Sequence, residues 1–164
     1  MVSRSAWKIT DRYIRRVSGG ALATMLAVAA GLAGSIQVAV MSRLGERIGV
    51  GEALGFSTLL TAAVAFIGLL VVRRSLAGYE RALHQPLWML TGGLFGLLIV
   101  FTVTYAGPRI GVTATVGILI AGQLVMGALI DRFGLFGSQQ ISLHWPRLAG
   151  IALLAVGAAL SLRK

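Results

Sequence analysis

Gln37 and Gln123 each stand inside a long uncharged run, with no Asp, Glu, Lys or Arg beside them away from the run ends. A glutamine amide carries two donors and an acceptor without a net charge. The chemistry it supports here is neutral hydrogen bonding, either to a solute or to another helix. Threonines in the same runs, such as Thr24, Thr58, Thr61, Thr102 and Thr115, can return their hydroxyls to their own helix backbone. A glutamine is less easily satisfied and is expected to face another helix or a wet cavity, not lipid. Tyr105 and Trp88 add amphipathic surfaces near run ends. These four residues form the candidate substrate path, with helix-to-helix adhesion as the other reading of the two amides.

Reactive groups are otherwise sparse. The carboxylates nearest the runs are Glu52, at the mouth of the second, and Asp131, at the end of the fourth. A charge at a helix centre costs at least about 2.5–3.5 kcal/mol on insertion scales, so proteins keep one there mainly for function. None is present. Glu52 and Asp131 read first as interfacial anchors, Glu52 opening a helix where its charge suits the dipole and Asp131 lying beside Arg132. Ion coupling is their alternative role. His84 and His144 fall in loops, cysteine is absent, and no G-x-S-x-G elbow or metal-ligand spacing occurs. The sequence therefore predicts neither an enzyme nor a metal or cofactor site.

What must position these residues is set by the solvent. Of 164 residues, 57% are apolar and 12% charged, against about a quarter charged in a soluble domain. An α-helix needs about 20 apolar residues to cross the hydrocarbon core, and the uncharged runs have that length. The chain reads as an all-α integral membrane protein with five transmembrane helices, at about residues 20–42, 53–72, 87–106, 111–130 and 148–162. Pro86 suits the start of the third, and "GPRIG" reads as a tight turn before the fourth. The runs are too long for typical strands and lack the alternation of a barrel strand. The first is longer than a signal-peptide core and is expected to be retained as a helix. The domain organisation is thus a basic segment at 1–19 and a five-helix domain at 20–164.

Ten of the 15 lysines and arginines fall in the N-terminal segment and the second and fourth loops. The bias predicts a cytoplasmic N-terminus and an outside C-terminus. The net charge of +10 is then read as positive flanks meeting anionic lipid headgroups, not as a nucleic-acid surface. In the segment 1–19, Trp7, Ile9, Tyr13, Ile14 and Val17 share one half of a helical wheel, and Arg4, Lys8, Asp11, Arg12, Arg15 and Arg16 take the other. That separation predicts an amphipathic surface helix in the headgroup region.

Gly92 and Gly96 lie four apart on one face of the third span, a small-xxx-small spacing that lets helix backbones approach. In the fourth, Gly117, Gly122 and Gly127 fall about 140° apart and do not form one stripe. Gln123 instead shares a face with Gly127, one turn on.

The stretch from Pro86 to Gly137 resembles the second half of a small inner-membrane exporter family, the YdcZ-like proteins of the drug/metabolite transporter superfamily. The resemblance rests on a tryptophan followed by "GGLFG", the "PRIGV" turn, "GQLVMGALIDRFGLFG", and a closing "RLAGIALLAVGAAL". In the first half "GSIQVAV", "RLG" and "EALGFSTLL" agree more loosely. There the family usually carries an asparagine four residues after the glutamine, where this chain has Met41, and a glycine expected soon after Phe56 is missing. The resemblance covers about residues 20–162. It implies a bacterial inner-membrane protein that is half of a ten-helix inverted-repeat transporter. It further implies export of a small-molecule substrate by alternating access, as a homodimer or with a similar five-helix chain. Gln37 and Gln123 match the family's glutamine positions; Met41 leaves the first-helix polar pair incomplete, which implies altered substrate choice or lost transport. A non-transporting membrane scaffold or regulatory subunit is the alternative, built on the same small-residue faces.

Overall fold

In the computed structural model, backbone is described for residues 4–73 and 77–162, and side chains for 20–72 and 78–162. Every regular element among them is helical. In chain order these are α1 (Arg4–Ile48), α2 (Val50–Arg73), α3 (Ala77–Leu83), α4 (Leu87–Leu90), α5 (Gly92–Ile110), α6 (Val112–Phe133) and α7 (Trp145–Leu160), with one 3-10 turn at Leu135–Gly137. Four stretches have the length and apolarity of a membrane span: Gly20–Ile48, Val50–Val72, Leu87–Ile110 and Val112–Phe133. The fifth, Trp145–Leu160, is apolar but shorter. The chain is an all-helical, multi-pass membrane protein.

The first connection is shorter than expected. Spans ending at 42 and beginning at 53 would leave a loop, yet α1 continues to Ile48 and α2 starts at Val50. Charge ends an apolar run without ending a helix: Arg43 and Glu46 form an (i, i+3) pair at 3.2 Å, and Arg47 suits the α1 C-terminal dipole. The reversal is made by Gly49 alone, at φ +98°, a region L-residues rarely enter. Its N–H donates to the Gly45 carbonyl at 3.0 Å and its carbonyl accepts from Ala53 N–H at 3.1 Å. Likewise "GPRIG" is not a five-residue turn. Helix α5 runs through Pro108 to Ile110, and only Gly111, at φ +85°, leaves helical geometry.

Pro86 precedes α4 as its N-cap. The break between α4 and α5 is slight, since Thr91 keeps right-handed helical angles and its hydroxyl donates to the Trp88 carbonyl at 2.7 Å. Helix α7 begins three residues earlier than the expected 148 and ends at Leu160 instead of 162. Trp145 and Pro146 form its first turn, where proline loses no hydrogen bond. Helix α1 is continuous across residues 19 and 20. The side chains that the sequence assigns to an amphipathic surface face lie outside the described residues.

Two compact units are distinguished, Met1–Gln37 and Val38–Lys164. In the first, the described side chains of α1 are largely exposed. In the second, α2 packs on α5, α5 on α6, and α6 on α7. The buried positions are mostly small: Ala53, Ala114, Ala128, Ala158, Ser42, Thr104 and Thr115, with Val38, Met41 and Val103 the larger ones. This is how membrane helices associate, by close backbone approach where lipid is as apolar as any side chain. The closest approach is at Gly107, where an added Cβ would collide with Ser42 Oγ and sit 3.1 Å from Ser42 Cβ. Gly45 faces the Thr104 methyl in the same way, at 2.6 Å, and Gly117 faces Ala158 Cβ at 3.3 Å.

Candidate functional site

Most serine and threonine hydroxyls along the spans bond to their own helix, Ser57 and Thr113 being the exceptions among the described residues. Thr24 donates to the Gly20 carbonyl at 3.0 Å, Thr58 to Leu54 at 2.8 Å and Thr61 to Ser57 at 2.9 Å. Thr102, Thr104 and Thr115 donate to Leu98, Val100 and Gly111 at 2.7–2.8 Å. Each bond returns to the residue four earlier, the usual fate of threonine in a helix. Gln37 on α1 and Gln123 on α6 differ. Both are exposed, and neither amide makes a hydrogen bond among the described residues. They fall in different units, Gln37 in the first and Gln123 in the second. Beside Gln123 the surface is open: a Cβ at Gly122 or Gly127 would meet nothing within 4 Å.

Tyr105 and Trp88 sit elsewhere and are individually engaged. Tyr105 stacks on Phe101 with centroids 6.1 Å apart and planes at 12°. On its other flank the Arg109 guanidinium carbon lies 3.5 Å from the ring centroid, a cation–π contact. Arg109 Nη1 also donates to the Tyr105 carbonyl at 2.5 Å. The (i, i+4) spacing of Tyr105 and Arg109 was a readable signal for this pair. Trp88 lies 5.7 Å from the ring of Phe136, which is held at φ +57° in the turn after α6.

The two carboxylates have separate fates. Asp131 accepts from Arg147 Nη2, an ion pair joining the end of α6 to the start of α7; sequence adjacency had suggested Arg132 as its neighbour. Three further bonds fold the connection back onto α6. Ile141 N–H donates to the Asp131 carbonyl at 2.8 Å, Gln140 Nε2 to the Arg132 carbonyl at 3.1 Å, and Ser138 Oγ to the Ile130 carbonyl at 3.3 Å. Together they satisfy carbonyls that a helix C-terminus leaves open. Glu52 has no ion pair among the described residues. Its carboxyl carbon lies 3.1 Å from where a Gly49 Cβ would stand, so the side chain folds over the α1–α2 turn. An added Cβ at Gly92, Gly96 or Gly127 would meet no other element within 4 Å among the described residues. The described residues contain no group of three or more His, Cys, Asp or Glu able to hold a metal.

Apolar helices of spanning length, with the ion pairs Arg43–Glu46 and Asp131–Arg147 near helix ends, define a multi-pass membrane protein. The chain belongs to the family described as "Putative inner membrane exporter, YdcZ", which matches residues 22–160. It is similar to the "Inner membrane protein YdcZ" of Escherichia coli (strain K12), with 29% identity over 138 residues, 84% of this chain and 92% of that protein. No solved structure matches it. Membership places the chain in the inner membrane, in a family whose description is that of an exporter and not of an enzyme.

Proposed function

We infer that the chain is half of a secondary transporter that exports a small organic solute by alternating access, with Gln37 and Gln123 among the groups that meet the solute. The observation that carries this reading is the two open amides, each with two donors and an acceptor, in apolar helices where most threonine hydroxyls bond to their own backbone. A polar group left without a partner in hydrocarbon is costly, so each amide needs a wet cavity or another chain. The exporter description of the family supports the direction of movement.

A single five-helix chain does not enclose a midplane path. Transporters place such paths between repeats, often of inverted topology. The reading therefore includes a second five-helix chain, identical or similar, completing a ten-helix arrangement. The open faces at Gly92, Gly96 and Gly127 support it, as does the exposure of apolar surface: no more than 17% of the most apolar stretch of any long span is buried within the chain. The charge bias supports a cytoplasmic N-terminus and an outside C-terminus, with the basic segment 1–19 lying against anionic headgroups. Asp131, engaged by Arg147, and Glu52, folded over the α1–α2 turn, fit interfacial anchors, with ion coupling the alternative role for Glu52. Met41, which stands where the family usually has asparagine, is 4% exposed and replaces a polar contact by packing.

The test is flux from proteoliposomes loaded with a cytosolic metabolite extract. Wild-type protein releases a specific solute, and Gln123→Leu stops release while the unfolding temperature holds. Normal release from both Gln123→Leu and Gln37→Leu overturns the assigned path. The same open glycine faces favour a second reading, a non-transporting scaffold. It predicts no flux and stable co-purification with another membrane protein.

A further inference from the structure

The last turns of α1 and α5 and the first turn of α2 surround a cavity of about 300 Å³, lined by Gly45, Glu46, Val50, Thr104, Pro108 and Arg109. That is the lower end of the roughly 300–1,000 Å³ of small-molecule sites. Its wall is already satisfied. Thr104 is fully buried and donates its hydroxyl to the Val100 carbonyl at 2.7 Å, while Val50 and Pro108 are apolar. Charge enters at two points, with opposite sign and from different helices. Arg109 is held by the Tyr105 ring on one face and by the Tyr105 carbonyl through Nη1. A guanidinium has five N–H donors, so several remain for an anion. Glu46 accepts from Arg43 Nη1 through Oε2 at 3.2 Å, with Arg43 itself 83% exposed. Glu46 and Arg109 line one cavity, yet the ion-pair partner of Glu46 is Arg43, not Arg109.

We propose that this cavity binds a small zwitterion, its anionic group on Arg109 and its ammonium on Glu46. An anion alone would gain from Arg109 and be repelled by Glu46, and a cation alone the reverse. A ligand with both ends gains from both, which is discrimination by repulsion as much as by attraction. A zwitterion also carries no net charge, which suits spans that hold charge only near their ends. Two sources share this chemistry, a free amino-acid-like solute and the ethanolamine phosphate headgroup of a bilayer lipid. That the ligand is the cargo rests on the transporter reading; that it binds rests on the cavity.

Full-length protein in phosphatidylglycerol nanodiscs is titrated calorimetrically with L-alanine and with glycerophosphoethanolamine, the net-neutral phosphodiester form of phosphoethanolamine, using acetate and ethylammonium as one-ended controls. At least one zwitterion binds about ten-fold or more tighter than either control. Glu46→Gln and Arg109→Gln each weaken it by a similar factor at unchanged unfolding temperature. Arg109→Lys keeps the charge and serves if Arg109→Gln does not fold; the lysine, lacking the fixed fork and ring stacking, restores binding only partly. Arg43→Gln tightens binding a few-fold by releasing the Glu46 carboxylate, a gain that a structural role would not produce. Alanine binding identifies a free solute. Glycerophosphoethanolamine binding that disappears in phosphatidylethanolamine discs identifies the headgroup. Controls that bind as well as the zwitterions, or affinities indifferent to Glu46 and Arg109, overturn the site. Flux that Gln123→Leu stops, with no zwitterion bound, removes this site and leaves the transporter. Zwitterion binding without flux keeps the site and removes the transporter.

Discussion

At the scale of single residues, what separates Gln37 and Gln123 from the other span polar groups is the reach of the side chain. A threonine hydroxyl lies close enough to the preceding turn to satisfy itself, as Thr58 and Thr102 do; a glutamine amide with two donors and an acceptor does not. The position of both amides in apolar runs was legible in the sequence, because a lone polar residue in hydrocarbon is conspicuous. Their lack of partners was not, since it depends on what the neighbouring helices bring. Gly107 shows the same limit. Nothing in "AGPRIG" announces that Ser42, 65 positions earlier, lies against it. Gly107→Ala is expected to destabilise the protein by about 1–3 kcal/mol, the usual cost of overpacking, read as a lower unfolding temperature in detergent. Ser42→Gly in the same chain should recover most of that loss; no recovery would place the strain elsewhere.

At the scale of elements, the existence of the long apolar helices was readable, while the short helix α3 and the helix ends were not. Apolar length marks where lipid begins and stops, while hydrogen bonding continues wherever residues tolerate it. Arg43, Glu46 and Arg47 are good helix formers, so α1 passes them and halts only at Gly49. Pro108 was taken as part of a turn, but α5 passes it too and stops at Gly111. The connection between α6 and α7 was the least legible, because its bonds join residues eight to sixteen apart. Its ion pair is partly exposed, with the Asp131 side chain at 27% and that of Arg147 at 38%. A double-mutant cycle on Asp131→Asn and Arg147→Gln should return a coupling of roughly 0.2–1 kcal/mol, the range of solvent-screened pairs. Arg132→Gln should not couple to Asp131→Asn. The reverse ranking would mean that the sequence neighbour is the true partner.

At the scale of the whole molecule, the spans present most of their apolar surface outward, and lipid or a second chain must cover it. The buried positions that do hold the described helices together are alanines, a serine and threonines, so the chain already associates by small-residue contact. Gly92 and Gly96 offer more of the same contact, with open space beside each among the described residues. The protein has no cysteine, so one introduced thiol reports without background. A photoreactive maleimide on Gly96→Cys is expected to give an adduct at twice the chain mass in native membranes. The same probe on Leu59→Cys, where α2 exposes 71% of the residue, is expected to label lipid only. Equal adducts from both positions, or none from Gly96→Cys, would remove the homodimer.

Export is read from the medium around living cells. Cells lacking the protein, cells overproducing it, and cells overproducing Gln123→Leu to the same membrane abundance are compared for the metabolites outside them. The account predicts at least one small solute that accumulates outside with the wild-type protein and returns to the level of the lacking strain with Gln123→Leu. Identical external metabolites for wild type and Gln123→Leu would contradict it.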